Sequence, residues 1–198
     1  VGKPIILAMM AYNGDAKSAE AALAPFRALG KPLADMVKPG SYLSMFPPED
    51  PSYKPIAVGR NLFTDSIDVK KAQQIIDGVT NSGADFAAVQ LRVLGGAISR
   101  VPADATAYGH RSEKVMAMVV AFSDGRAETA AKRATWAEGL AAELNPKWGA
   151  AYVNFLFGET PERVRKAYPG KTWDRLRTVK KQYDPENLFK LNQNIPPA

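Results

Sequence analysis

A chain of 198 residues with 46% hydrophobic and 23% charged side chains can build one large domain or two small ones around an ordinary core, and it is not a disordered polymer. The absence of Cys excludes disulfides, thiolate metal sites and a Cys nucleophile, while a lone His110 excludes a multi-histidine metal centre and disfavours a histidine triad, so no metal is expected. The net charge of +6 draws on Arg163, Arg165, Lys166, Lys171, Arg175, Arg177, Lys180 and Lys181, read as solvated helix faces because Trp173, Leu176, Val179 and Tyr183 fall at core spacing, and no nucleic-acid partner is expected.

In chain order, PIILAMMAY (4–12) reads as a buried strand ended by Asn13-Gly14. Its apolar run is too short for a signal peptide, and no run approaches the roughly 18 residues that span a bilayer. No membrane partner is expected. The chain is assigned to the cytoplasm, with a targeting signal upstream of Val1 left open. Residues 16–29 carry helical spacing in Ala19, Ala22, Leu23 and Phe26, and Gly30 and Pro32 stop the pattern. Residues 31–66 are rich in Pro and Gly and read as an extended connection. Ser66 or Asp68 opens a helix to about Asn81, with Val69, Ala72, Ile75, Ile76 and Val79 inward.

The period then changes from helical to alternating. Residues 85–94 set Ala87, Val89, Leu91 and Val93 on one strand face and Phe86, Ala88, Gln90 and Arg92 on the other. Gly95-Gly96 breaks the strand, an extended piece follows at Ala97-Ile98, and Lys114–Phe122 is another strand. Residues 126–144 form an Ala-rich helix with Ala130, Ala134, Ala137, Ala141 and Leu144 on a stripe. AYVNFLF (151–157) reads as a short strand, Thr160-Pro161-Glu162 starts a helix that Tyr168-Pro169-Gly170 stops, and a last helix covers about Trp173–Tyr183. In the closing YDPENLFKLNQNIPP, Asp184 can cap a turn, while Leu188, Phe189, Leu191 and Ile195 are apolar anchors in an amide-rich tail. Half-polar strands interleaved with helices predict an α+β fold, a mostly antiparallel sheet covered on one face by helices. Neither a GxGxxG nor a P-loop pattern occurs.

Three stretches stand together: GGAISRVPADATAYGHR (95–111), AYVNFLFGE (151–159) and WDRLRTVKKQYDPENLFKLNQNIPP (173–197). With RALGKPLADMVKPGSYLSM upstream, the set Tyr152-Val-Asn154, Arg175-Leu176, Val179-Lys180, Asp184-Pro-Glu-Asn187-Leu-Phe189 and Gln193-Asn-Ile195-Pro-Pro197 resembles the C-terminal half of the berberine bridge enzyme-like flavoproteins, within the vanillyl-alcohol-oxidase class. The resemblance implies an FAD cofactor, often covalently held by an N-terminal domain that these residues do not include. It further implies a substrate domain at 1–150 and a C-terminal segment at 151–198 that packs on that FAD-binding domain. The implied function is the substrate-binding part of an oxidoreductase acting on an alcohol, sugar or phenolic small molecule by hydride transfer. The chain alone would then be inactive.

Residue by residue, Tyr152, Val153 and Asn154 match the segment that touches the flavin from the substrate side. Phe155 stands where several plant members carry a tyrosine base, and a phenyl ring cannot take a proton. A catalytic Glu of other members aligns near Ala117. No catalytic base is therefore named. Gln90 and Arg92 share the strand face where relatives present substrate-facing side chains, and Arg92 suits a carboxylate or polyhydroxyl group. His110-Arg111 matches a pair read as structural. The competing reading is a free-standing α+β binding or dimerisation domain without flavin, in which Phe189 to Ile195 would bury against their own helices.

Overall fold

The computed structural model describes residues 3–46, 48, 51–52, 56–145 and 149–198. Residues 5–54 form one compact unit and residues 55–198 another. In the first, helix α1 (Ala16–Arg27) is capped by Asp15, whose carboxylate accepts from the Ser18 amide at 2.9 Å. At its other end Arg27 donates to Glu20 and to Asp35, each at 2.7 Å. The strand expected at 4–12 does not form. Those residues are non-repetitive and, apart from half-buried Met10, exposed, Ile6 to 94%. A strand is stable only when its backbone groups find a partner, and among the described residues none pairs with this run. Part of the proline-rich connection lies outside the described residues; Tyr42–Met45 within it is a 3-10 turn.

The second unit is built on β1 (Ile56–Thr64), β2 (Ala87–Val93) and β3 (Val115–Ser123), ordered β1-β3-β2 with both pairs antiparallel. Helices α2 (Val69–Thr80), α3 (Ala127–Leu144), α4 (Pro161–Lys166) and α5 (Thr172–Tyr183) complete it. The expected α+β class is the observed one.

β1 falls inside the stretch read as connection, and its own composition explains the miss. Along IAVGRNLFT, one face carries Gly59, Asn61 and Phe63, the other Val58, Arg60, Leu62 and Thr64. Neither face is apolar throughout. The structure resolves each polar position separately: Arg60 pairs with Glu138 of α3 at 2.6 Å, and Asn61 turns to the opposite face. The expected extended piece at Ala97-Ile98 is instead a 3-10 turn, Ile98–Arg100.

One face of the sheet packs against α3. Leu62, Ala117 and Val119 meet Ala137, Leu140, Ala141 and Leu144, with Ile75, Val89 and Trp136 at the margin. α2 lies close to α3 because Gly78 has no side chain; a Cβ there would stand 2.8 Å from a Leu140 methyl. The freed space lets the Trp136 indole donate to the Gly78 carbonyl at 2.9 Å. Leu91 and Val93, expected inward with Val89, are exposed near the end of β2, which is an edge strand.

The C-terminal tail is held by polar atoms while its apolar side chains face outward. Asp184 accepts from the amides of Leu188 and Phe189 at 2.7 and 3.0 Å and pairs with Lys180, which also donates to the Phe189 carbonyl at 2.6 Å. Arg177 donates to the Pro197 carbonyl at 3.0 Å. Asn187 and Asn192 turn the backbone through left-handed conformations that asparagine tolerates. Phe189 and Leu191 are left 82% and 86% exposed. Burial of the run on its own helices, which a free-standing module requires, is not observed for Leu188, Phe189 and Leu191; Ile195 is half-buried.

This anchoring is pH-dependent. Hydrogen bonds from Lys180, Leu188 and Phe189 hold the Asp184 carboxyl below its ordinary value of 3.8. A lowered carboxylate contributes stability that is complete above the ordinary value and lost as pH falls through the lowered one. Hydrogen exchange at Leu188 and Phe189 should therefore accelerate in acid relative to α5, and Asp184→Asn should show that acceleration at neutral pH. Equal protection in both proteins at neutral pH would contradict the anchor.

Candidate functional site

The face of the sheet opposite α3 presents Phe63, Met116 and Arg92 in one row across the three strands, and Asn61, Met118 and Gln90 in the next. Loops cover it instead of helices. The strand expected at 151–157 is a 3-10 turn at Val153–Phe155, because a side chain takes the place of a strand partner. The amide of Asn61 donates to the Phe155 carbonyl at 2.7 Å and accepts from the Tyr152 N–H at 2.6 Å.

The turn sorts its side chains. Val153 packs inward with Ala151, Leu156 and Val164, a second small core that α4 completes. Tyr152 and Phe155 meet edge to face at 5.5 Å, and exposed Asn154 donates from Nδ2 to the Tyr152 hydroxyl at 2.9 Å. Arg92 reaches across from β2 so that its guanidinium carbon lies 4.7 Å above the Phe155 ring. A buried nitrogen of that group, Nη1, has no hydrogen-bond partner among the described residues. Such an N–H is costly to leave unmade, and an acceptor brought by a ligand would satisfy it. Four predicted residues, Tyr152, Asn154, Phe155 and Arg92, therefore converge. Gln90 stands two residues back on the same strand face, exposed and outside this cluster.

A residue that sequence reasoning did not name, in the loop beside the His110-Arg111 pair read as structural, joins them. Tyr108 packs edge to face on Tyr152 at 5.7 Å, with the Arg111 guanidinium carbon 5.0 Å from the centre of its ring. Arg111 also donates to the Tyr108 carbonyl at 2.9 Å and the Thr106 hydroxyl at 2.7 Å, which locks the loop. Burial pushes the Tyr108 phenol above its ordinary pKa, so it keeps its proton and its O–H can donate a hydrogen bond. His110 is buried, stacked 4.7 Å from Phe63, and desolvation lowers its pKa so that it stays neutral. The signal for Tyr108 was present in the Tyr-Gly-His-Arg run, but nothing local said which side of the loop faces the sheet. Ala117 faces α3 in the core, so the base position aligned there does not open on this face. Its neighbours on the site face, Met116 and Met118, cannot take a proton either.

A separate cavity of about 320 Å³ lies between the 104–107 loop and α5, lined by Asp104, Thr106, Lys171 and Arg175 among others, and holds none of the predicted site residues. Among the described residues no three metal-ligating side chains cluster, and no helix is long and apolar enough to cross a membrane.

Residues 151–196 match the family described as berberine and berberine like, so the match begins one residue before the Tyr152 turn and runs through the tail. The FAD-linked oxidoreductase YgaK of Bacillus subtilis (strain 168) is 36% identical over 111 residues, covering 56% of this chain and 24% of that protein. The solved structure of BBE-like #28 from Arabidopsis thaliana superposes with a TM-score of 0.69 at 22% identity, over 94% of this chain and 46% of that one. A chitooligosaccharide oxidase gives 0.66 at 19% identity, over 94% and 45%. The match covers 24% and 27% of the length of two curated relatives, so the chain spans only part of them. Residues 151–196 thus match the berberine and berberine-like family model, and the chain is similar to part of FAD-linked oxidoreductases, whose fold it shares.

Proposed function

We propose that this chain is the substrate-binding part of an FAD-dependent oxidoreductase that oxidises an alcohol, sugar or phenolic-type small molecule by hydride transfer. In this reading residues 1–150 form the substrate domain, and residues 151–198 complete the cofactor site and dock on an N-terminal FAD-binding domain. One observation carries it: the family-matched turn Tyr152–Phe155 and the strand residue Arg92 meet on a single sheet face. The outward apolar side of Phe189 and Leu191 supports the docking role and weighs against a free-standing module.

The donor set fits a flavin and a hydroxylated substrate. An exposed amide at Asn154 and a hydroxyl at Tyr152 offer the donors and acceptors that flavin ring carbonyls and nitrogens require, while Val153 holds the turn from beneath. FAD, when bound, supplies the hydride acceptor. Arg92 then donates its unpaired N–H to a substrate oxygen, and Phe155 forms a wall beneath the guanidinium. Tyr108, kept protonated, donates at the same rim. Gln90 would contact only a substrate long enough to run along β2. A cluster of two tyrosines, a phenylalanine and an arginine suits a polyhydroxyl ring, and the name of the chitooligosaccharide oxidase relative agrees with that class. Phe155, Met116 and Met118 cannot take the proton of the oxidised hydroxyl, so in this reading the base is another group, such as one from the FAD-binding domain.

In the full protein, Asn154→Ala should slow flavin reduction about 3- to 10-fold, the range of one hydrogen bond, with the fold unchanged by circular dichroism. Unchanged reduction in a folded variant would remove Asn154 from the site.

A further inference from the structure

We propose that Asn61 is the positioning residue of the candidate site, fixing where the Tyr152–Phe155 turn stands on the sheet; its consequence for the flavin rests on the function proposed above. Asn61 is fully buried on β1, in an environment where an unsatisfied amide is expensive. Both ends of its side chain are used on one short turn, Nδ2 on the Phe155 carbonyl and Oδ1 on the Tyr152 N–H. The two contacts imitate the paired N–H and C=O that a neighbouring strand would offer. The turn therefore gains the fixity of a ladder without lying in one, which holds Tyr152 and Phe155 over the sheet face and leaves Asn154 exposed. The backbone of the same residue is held as well: its carbonyl accepts from Arg163 at 2.9 Å, and Arg163 also donates to Gly149 at 3.0 Å, just before the turn. Arg163 is in turn paired with buried Glu159 at 2.5 Å.

No other side chain meets the same demand. Asp lacks the donor and would set a buried carboxylate against the Phe155 carbonyl, Leu lacks both functions, and Gln is one methylene longer than the gap. A displaced turn would carry the Asn154 amide and Tyr152 hydroxyl with it, so the change should register in the cofactor's electronic environment and not merely in stability.

The test uses the full, flavin-loaded protein and two readouts. Hydrogen exchange on peptides spanning 150–157 should be slow in the wild type and at least about tenfold faster in Asn61→Ala and Asn61→Asp, the cost expected for stranding a buried partner. The flavin midpoint potential should shift in both variants at unchanged flavin content, whereas a merely structural role would lower flavin content or melting temperature without moving the potential. If the wild-type segment exchanges as fast as the 95–107 loop, no clamp exists, and this outcome decides the matter even should the variants fail to fold. Unchanged exchange in a folded Asn61→Ala protein would also overturn the proposal while leaving the flavin contact of Asn154 intact. Faster exchange with an unmoved potential would overturn instead the placement of the turn on the flavin, and with it the functional half of the inference.

Discussion

Replacing Phe155 by alanine in the full protein is expected to raise the apparent substrate constant about tenfold, with a smaller change in maximal rate. The ring lies beneath Arg92 at 4.7 Å and beside Tyr152 at 5.5 Å, so it forms the floor on which the guanidinium rests. A cation over a partly desolvated ring is held by up to about 2 kcal/mol, and releasing Arg92 from that position removes binding common to ground and transition states. Phe155→Tyr keeps the ring and should alter both constants only modestly, because the added hydroxyl has no matched substrate atom. A positioned base contributes about 10²- to 10⁴-fold, so a rate gain of that size in Phe155→Tyr would mean that a phenol at this position can act as the base. The pH profile of the wild type should report no ionisation at this position. Steady-state kinetics of the two variants distinguish these outcomes. If the alanine variant leaves both constants untouched, Phe155 does not line the site, and the placement of Tyr152 and Asn154 on the flavin fails with it.

Leu62→Ala should be the most damaging of these substitutions for the fold, costing about 2–5 kcal/mol. Leu62 is completely buried between β3 and α3, in the cluster that joins Ala117, Val119, Leu140 and Leu144. A cavity there cannot collapse easily, because the sheet on one side and the helix on the other are each fixed by backbone bonds. Val93→Ala, on the same edge sheet but 86% exposed, should cost almost nothing and serves as the control. Denaturant midpoints measured at constant slope give both values. The neighbouring pair is informative together. Leu62 faces the helix and holds the domain, while Asn61, one residue away, faces the loops and holds the turn. Leu62→Ala should lower stability without specifically exposing residues 150–157, and Asn61→Ala should do the reverse. A loss below about 1 kcal/mol for Leu62→Ala would mean that α3 does not pack on β1 as described.

Local chemistry in the sequence determined much of this protein. Asp68 with the apolar spacing behind it, the Ala stripe ending at Leu144, and Pro161 after Thr160 specify α2, α3 and α4, because capping and helical periodicity act within a few residues. Alternation likewise marks β2, the apolar run from Lys114 to Phe122 marks β3, and the tail signature from Asp184, which the family match covers to residue 196, reads directly from side-chain order. What tertiary structure alone decided involves partners distant in the chain. β1 is a strand because β3 pairs with it and because Glu138 and the 151–155 backbone satisfy its polar residues; its own composition hides it. Residues 4–12, the better strand by composition, form none, since propensity without a pairing edge leaves the backbone unsatisfied. Residues 151–157 read as a strand and fold as a turn because Asn61, some 90 residues away, supplies the hydrogen bonds. The site follows the same division. Tyr152, Asn154, Phe155 and Arg92 could be named from sequence, since each sits in a recognisable motif or on a legible strand face. That Arg92 lies on Phe155, that Tyr108 joins them, and that Ala117 points away are facts of sheet register and loop packing, which no window of neighbouring residues contains.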